Sequence, residues 1–150
     1  EHDSWRGRLL RGEVHDENGW VLGGVAGHTG LFGSAPAVGR FARTVLTTLT
    51  GSPLLAETPT MRRFLQRSSV AGSSRALGWD TMLVTSSCGG KLSPESIGHT
   101  GFTGTSLWLD PTQDLYVVLL TNRVHPTRDN DAILNLRPLV HDAVIEAISQ

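Results

Sequence analysis

The stretch Leu115-Tyr116-Val117-Val118-Leu119-Leu120-Thr121 is apolar or aromatic at every position but its last. It limits the folds open to this chain more than any other segment. A run of this length and β-branched content reads as a strand, and a strand apolar on both faces is covered on both faces. It is therefore expected at the centre of a sheet. Just before it, Asp110-Pro111-Thr112-Gln113-Asp114 carries the residues of a tight turn. Upstream of that turn, Thr105–Leu109 reads as the preceding strand, Phe102-Thr103-Gly104 as another turn, and Ser96–Thr100 as a short first strand. The pattern predicts an antiparallel β-meander. Few other segments are available to pair along the second edge of Leu115–Thr121, which points to strands contributed from outside these 150 residues.

Helical spacing accounts for much of the rest. Ser34 stands where it would cap a helix whose apolar positions are Val38, Phe41, Ala42, Val45 and Leu49, and Gly51-Ser52-Pro53 ends it. A shorter helix is expected over Thr58–Gln66, with Met61 and Leu65 on one face, and a strand over Leu77–Val84. Asn130–Ser149 predicts a helix with Ile133, Leu136, Val140, Ala143, Val144 and Ile148 on one side, kinked or restarted at Pro138. Residues 1–33 are glycine-rich and without periodicity, and read as a long ordered loop. The expected organisation is one α/β unit of the α+β type: loop region 1–33, helices 34–67, strands with loops 76–122, and a C-terminal helix 130–149.

Composition narrows the function. Hydrophobic residues at 39% and charged residues at 18% fit a folded globular chain. A net charge of −1 gives a polyanion nothing to bind, so neither nucleic acid nor an anionic membrane surface is an expected partner. No apolar run reaches the length of a membrane span. Cys88 is the only cysteine, so no disulfide forms within the chain. The chain begins with Glu1 rather than Met, an upstream part carrying any targeting signal is expected, and the compartment stays open.

Common site motifs are absent: no H-E-x-x-H, C-x-x-C, P-loop or G-x-S-x-G. His15, His28, His99, His125 and His141 are scattered without ligand spacing and read as loop or surface histidines, so neither a metal nor another cofactor is expected. Gly23–Gly30 reads as a tight turn with close backbone packing rather than a phosphate cradle. Cys88–Lys91 has C-x-x-K spacing but lies in a Ser/Gly loop instead of at a helix start, and is read as coincidence.

One set of segments is informative in combination. Gly98-His99-Thr100-Gly101-Phe102-Thr103-Gly104-Thr105-Ser106-Leu107-Trp108-Leu109-Asp110-Pro111, followed by Leu115–Asn122, resembles the closing strands of serine β-lactamase-related proteins. These include class C enzymes, D-Ala-D-Ala carboxypeptidases and related esterases. Gly12–Asn18, Gly24–Phe32, Gly78-Trp79-Asp80 and Thr121–Pro126 resemble a subgroup that includes the penicillin-binding protein 4B-like hydrolases. The resemblance runs from about Gly12 to the C-terminus. It implies the C-terminal part of a β-lactamase/transpeptidase-like fold whose N-terminal strands and helical region lie outside this chain. It also implies an acyl-enzyme mechanism, in which a serine of S-x-x-K attacks a carbonyl while the lysine and a tyrosine of Y-x-N move protons.

Carried onto this sequence, the resemblance puts His99 in the place of the strand lysine, where an imidazole can orient a proton network or bind a carboxylate. Thr100 and Thr103 face substrate, Gly101 lets it lie against the strand, and the Phe102 backbone N–H serves as an oxyanion donor. Arg128, in the loop after the last strand, is a candidate ligand for a substrate carboxylate. The departure is equally plain. Lys91 is the only lysine and is preceded at the right distance by Cys88, while the only tyrosine, Tyr116, begins no Y-x-N. The expected partners are an acyl substrate, small molecule or peptide, and the missing N-terminal part of the same domain, without which the chain is expected to be inactive. The competing possibility is a non-catalytic binding or structural protein using the same half-fold. An upstream S-x-x-K and Y-x-N would decide for the enzyme.

Overall fold

The computed structural model describes residues 1–149. Along the chain these form strands β1 (His2–Asp3) and β2 (Arg8–Leu9), helices α1 (Glu17–Val21), α2 (Ala35–Leu49) and α3 (Thr58–Leu65), strands β3 (Asp80–Thr81), β4 (Ile97–Thr100), β5 (Ser106–Asp110) and β6 (Leu115–Leu119), and helix α4 (Ile133–Ile148). The meander forms as its sequence suggests. β4, β5 and β6 pair antiparallel, with Gly98 opposite Trp108 and Leu107 opposite Val118, and β3 adds beside β4 to give the order β3-β4-β5-β6.

The β5–β6 turn is built on one carboxylate. Asp110 is fully buried. It accepts hydrogen bonds from the Ser93 N–H and hydroxyl (both 2.7 Å), the Thr112 N–H (2.9 Å), the Gln113 N–H (3.2 Å) and the Gln113 side-chain amide (2.8 Å). Burial alone would push this carboxyl up, but the bonds from Ser93 and Gln113 outweigh it and hold the group below its ordinary value.

Alternation along β5 sends Leu107 and Leu109 to one face and Ser106, Trp108 and Asp110 to the other. On the first face Ile97 and Leu109 pack with Ala42, Val45 and Leu46 of α2 and Met61 of α3. On the second, Trp108 and Val117 pack with Cys88, Leu92 and Ile145 of α4. Helix layers thus cover both faces of β6, which explains its apolar composition. Within this chain β6 is the last strand of the sheet, and no strand pairs with its outer edge among the described residues.

Other expectations are refined for local reasons. Ser34 sits at the N-cap of α2, but its side chain makes no capping bond. Phe41 is exposed, while Gly39 is buried beneath the Tyr116 ring, where a side chain would not fit. Of Leu77–Val84 only Asp80–Thr81 is strand. Gly78 breaks the run with a φ of +77°, and Arg67 bonds the Thr81 hydroxyl (2.6 Å) and the Met82 carbonyl (2.5 Å). Within 1–33, β1, β2 and α1 replace the uniform loop. Helix α1 starts at Asp16, whose side chain accepts the Gly19 N–H at 2.7 Å.

The largest correction concerns α4. It runs through Pro138 as one helix and buries Ile133, Arg137, His141 and Ile145, a ladder spaced i+4 that includes two polar side chains. Leu136 and Ile148, expected on the covered side, are exposed at 45% and 59%. His141 is no surface histidine: it is fully buried, with Nε2 3.1 Å from the Ser106 hydroxyl. Burial pushes the ring down to about 4, with the charge of Asp142 opposing and that of Arg137 adding to the effect.

Two outcomes are expected. A ring with its folded pKa lowered to about 4 refuses a proton that the unfolded chain accepts near 6.5. Stability is therefore full above that unfolded value and falls as pH drops towards about 4. The steepest slope is about 1.4 kcal/mol per pH unit. Urea midpoints at about pH 7 and about pH 5 should separate in the wild type and converge in His141→Gln. Second, a methyl at Gly98 would overlap the Trp108 ring and the Leu107 carbonyl. Gly98→Ala should lower stability by about 1–3 kcal/mol, measurable as a drop in Tm; an unchanged Tm would show that the pair of strands yields.

Candidate active site

Strand β4 carries the first of the candidate residues outward. Gly98 lies beneath Trp108, and the next residue, His99, faces the opposite side and is exposed. Its Nδ1 is 2.8 Å from the Thr100 carbonyl oxygen and its Nε2 is 3.2 Å from Nη1 of Arg75. A guanidinium only donates, so Nε2 must accept, and the ring proton sits on Nδ1, donating to Thr100. Arg75 therefore selects the tautomer of His99.

Beyond Thr100 the chain makes a tight turn. The Gly101 N–H donates to the Thr105 carbonyl (2.8 Å) and the Gly104 N–H to that of Gly101 (3.1 Å). Gly104 takes a φ of +108° with Thr121 and Arg123 packed against its Cα, and the Thr121 hydroxyl donates to its carbonyl at 2.6 Å. Gly101 has no room for a side chain beside the Thr105 hydroxyl. Phe102 rides on the turn with its ring exposed and the Arg123 guanidinium 4.1 Å from the ring centroid. The carbonyls of Phe102 and Thr103 accept from Nε and the backbone N–H of Arg123 at 2.7 and 3.0 Å. Among the described residues the Phe102 N–H has no acceptor.

Thr100, Gly101 and Phe102 line one cleft of about 230 Å³ together with Arg123, Asp131, Ile133, Leu134 and Arg137. Arg137 reaches it from α4. Buried to 5% exposure, it donates from Nη2 to the carbonyls of Gly101 (2.7 Å) and Thr105 (2.9 Å). Burial, and next the Arg123 charge, both push this guanidinium below its ordinary value. The cleft floor is thus cationic without a carboxylate in ion-pair contact with either arginine among the described residues.

The structure brings Thr100, Gly101 and Phe102 together, with His99 just before them on β4 and Thr103 just after them on the turn. Arg128 stands apart. It lines a separate cavity of about 370 Å³, donating from Nη2 to Glu1 (2.5 Å) and Glu17 (2.9 Å), and its hydrogen bonds to these two carboxylates push it up. Sequence spacing gave no sign of Arg75, Arg123 or Arg137, which act from 24, 21 and 36 residues away from their partners. Arg137 shares its buried helix face with Ile133, His141 and Ile145, and no local sequence signal marks it. The C-x-x-K pair has no catalytic geometry. Cys88 is fully buried, its thiol pushed up to about 12 chiefly by that burial, and Lys91 is paired with Glu146 at 2.7 Å. No helix among the described residues is long and apolar enough to cross a membrane.

Curated relatives described as "Putative D-alanyl-D-alanine carboxypeptidase", from Salmonella agona (strain SL483) and from Salmonella typhi, are each 35% identical over 125 residues, covering 80% of this chain and 29% of their own length. The chain therefore spans under a third of these relatives. The family model described as Beta-lactamase matches residues 1–140. This chain therefore belongs to the beta-lactamase family.

Proposed function

We propose that this chain is the closing portion of a serine acyl hydrolase that works through an acyl-enzyme. It supplies one wall of the cleft: the His99-Thr100-Gly101 strand end and the Phe102 N–H as an oxyanion donor. The observation that carries this reading is that N–H, left without an acceptor beside a cleft floored by Arg123 and Arg137. A backbone donor fixed before the reaction stabilises charge developing on a tetrahedral intermediate at no cost of reorganisation. Thr100 and Thr103 offer hydroxyls to bound substrate, and Gly101 leaves the strand open to it. His99 replaces the strand lysine with a hydrogen-bonding ring. Arg128 joins the site only by exchanging Glu1 or Glu17 for a substrate carboxylate.

The name carried by the relatives supports a D-alanyl-D-alanine peptide as substrate ahead of a β-lactam or a small ester. The nucleophilic serine and its proton-transfer partners come from residues outside these 150, and the chain alone turns over no substrate. The outer edge of β6 and the exposed Leu134, Leu136 and Leu139 of α4 are where that remaining part of the domain packs.

The test is acylation by a labelled β-lactam or fluorophosphonate. The longer protein should take up label, the 150-residue chain should not, and replacing the serine of the upstream S-x-x-K by alanine should abolish uptake. Labelling that survives this replacement would sink the proposal.

A further inference from the structure

We infer that Arg137 is a positioning residue for the oxyanion donor: by holding the Gly101 carbonyl from α4, it turns the Phe102 N–H to the side facing away from that helix, where no group of the described residues accepts it. This rests on the acyl-hydrolase reading above. The Gly101–Phe102 peptide is trans, the only cis bond among the described residues being His125–Pro126. In a trans peptide the C=O and the N–H of one unit point in opposite directions. Arg137 Nη2 draws the Gly101 oxygen towards the helix at 2.7 Å, so the N–H of the same unit must point away from it. The second bond of that nitrogen, to Thr105 O at 2.9 Å, holds the other end of the turn and stops it rotating.

Arg123 fixes the next peptide in the same manner. Its Nε holds the Phe102 carbonyl at 2.7 Å, while its Nη1 is anchored on the carbonyls of Arg128 (2.7 Å) and Asn130 (3.0 Å). Both peptide units flanking the Phe102 Cα are therefore set by guanidinium groups. A cation on a carbonyl oxygen also polarises the amide and makes its N–H a stronger donor.

Stability alone does not account for this residue. Arg137 is buried with Nε unbonded, and no carboxylate lies within ion-pair distance among the described residues. Burying a charge in that state is costly, and an apolar side chain of similar volume usually serves a core as well or better. What an apolar side chain cannot do is hold two carbonyl oxygens.

Steady-state acylation in the longer protein tests the inference. Arg137→Met should lower kcat about 10²-fold with KM nearly unchanged, the effect of losing one oxyanion donor, and Arg137→Lys should recover part of the loss. His141→Gln, which disturbs the same buried face of α4 without touching the turn, should acylate at the wild-type rate. An unchanged kcat in Arg137→Met, or an equal loss in His141→Gln, overturns the inference. A wild type that is not acylated at all brings down the acyl-hydrolase reading instead. The geometry has its own readout in either event, because Gly101–Phe102 is the only Gly–Phe bond in the chain. Carbonyl-¹³C glycine with ¹⁵N phenylalanine therefore singles out that peptide among these residues by NMR, its signal identified by its loss in Phe102→Leu. Both resonances should move in Arg137→Lys and stay in His141→Gln; a peptide indifferent to Arg137→Lys overturns the inference even where Arg137→Met does not fold.

Discussion

The sheet depends on the contact between Trp108 and Gly98. Trp108 is fully buried and directly opposite Gly98, whose missing side chain leaves the space that the indole fills. The ring is also the largest member of the cluster joining β5, β6 and α4. One interaction thus sets how closely β4 lies to β5 and where α4 docks. With β4 fixed by its neighbour, His99 and Thr100 follow at positions determined by strand alternation alone.

Polar groups on the buried face of α4 give the docking its specificity. His141 meets the Ser106 hydroxyl at 3.1 Å, and Arg137, one turn earlier, meets two carbonyls of the turn between β4 and β5. Apolar packing at Ile145 and Val144 would tolerate small slides of the helix, but directional bonds do not. The same helix shows solvent Leu134, Leu136 and Leu139, so it is apolar on the outside and partly polar on the inside. That inversion fits a helix whose outer side belongs to another layer of the family's fold.

The meander and the three long helices were legible because their signals are local. A continuous apolar run and short extended segments bounded by Asp-Pro and Gly turns, and helical spacing in 34–49, depend on neighbours within a few residues. The strand over Leu77–Val84 was over-read, since an apolar run does not reveal that Gly78 turns the chain and Arg67 occupies its hydrogen-bonding groups. For α4 the elements were found but the buried face was not, because Arg137 and His141 carry no apolar signal. Of the cleft, the sequence displayed Thr100, Gly101 and Phe102 through a resemblance. The arginines that orient the backbone there lie in loops and a helix far along the chain, and no spacing rule joins a side chain to a distant carbonyl. Position 128 illustrates the converse. Its charge suited a substrate carboxylate, yet two of the chain's own carboxylates already satisfy it.

The sealed thiol of Cys88 has a practical side. It is the chain's single cysteine, has no accessible surface, and sits among Leu92, Trp108, Val117 and Ile145 with its ionisation suppressed. Thiolate is the reactive form, so alkylating and oxidising reagents find no nucleophile while the layer beneath α4 stays closed. A spectroscopic label attached through a cysteine introduced on the surface would consequently report from one known place. Modification of Cys88 itself would work as a clock for the separation of α4 from the sheet, timing an opening that circular dichroism would scarcely register.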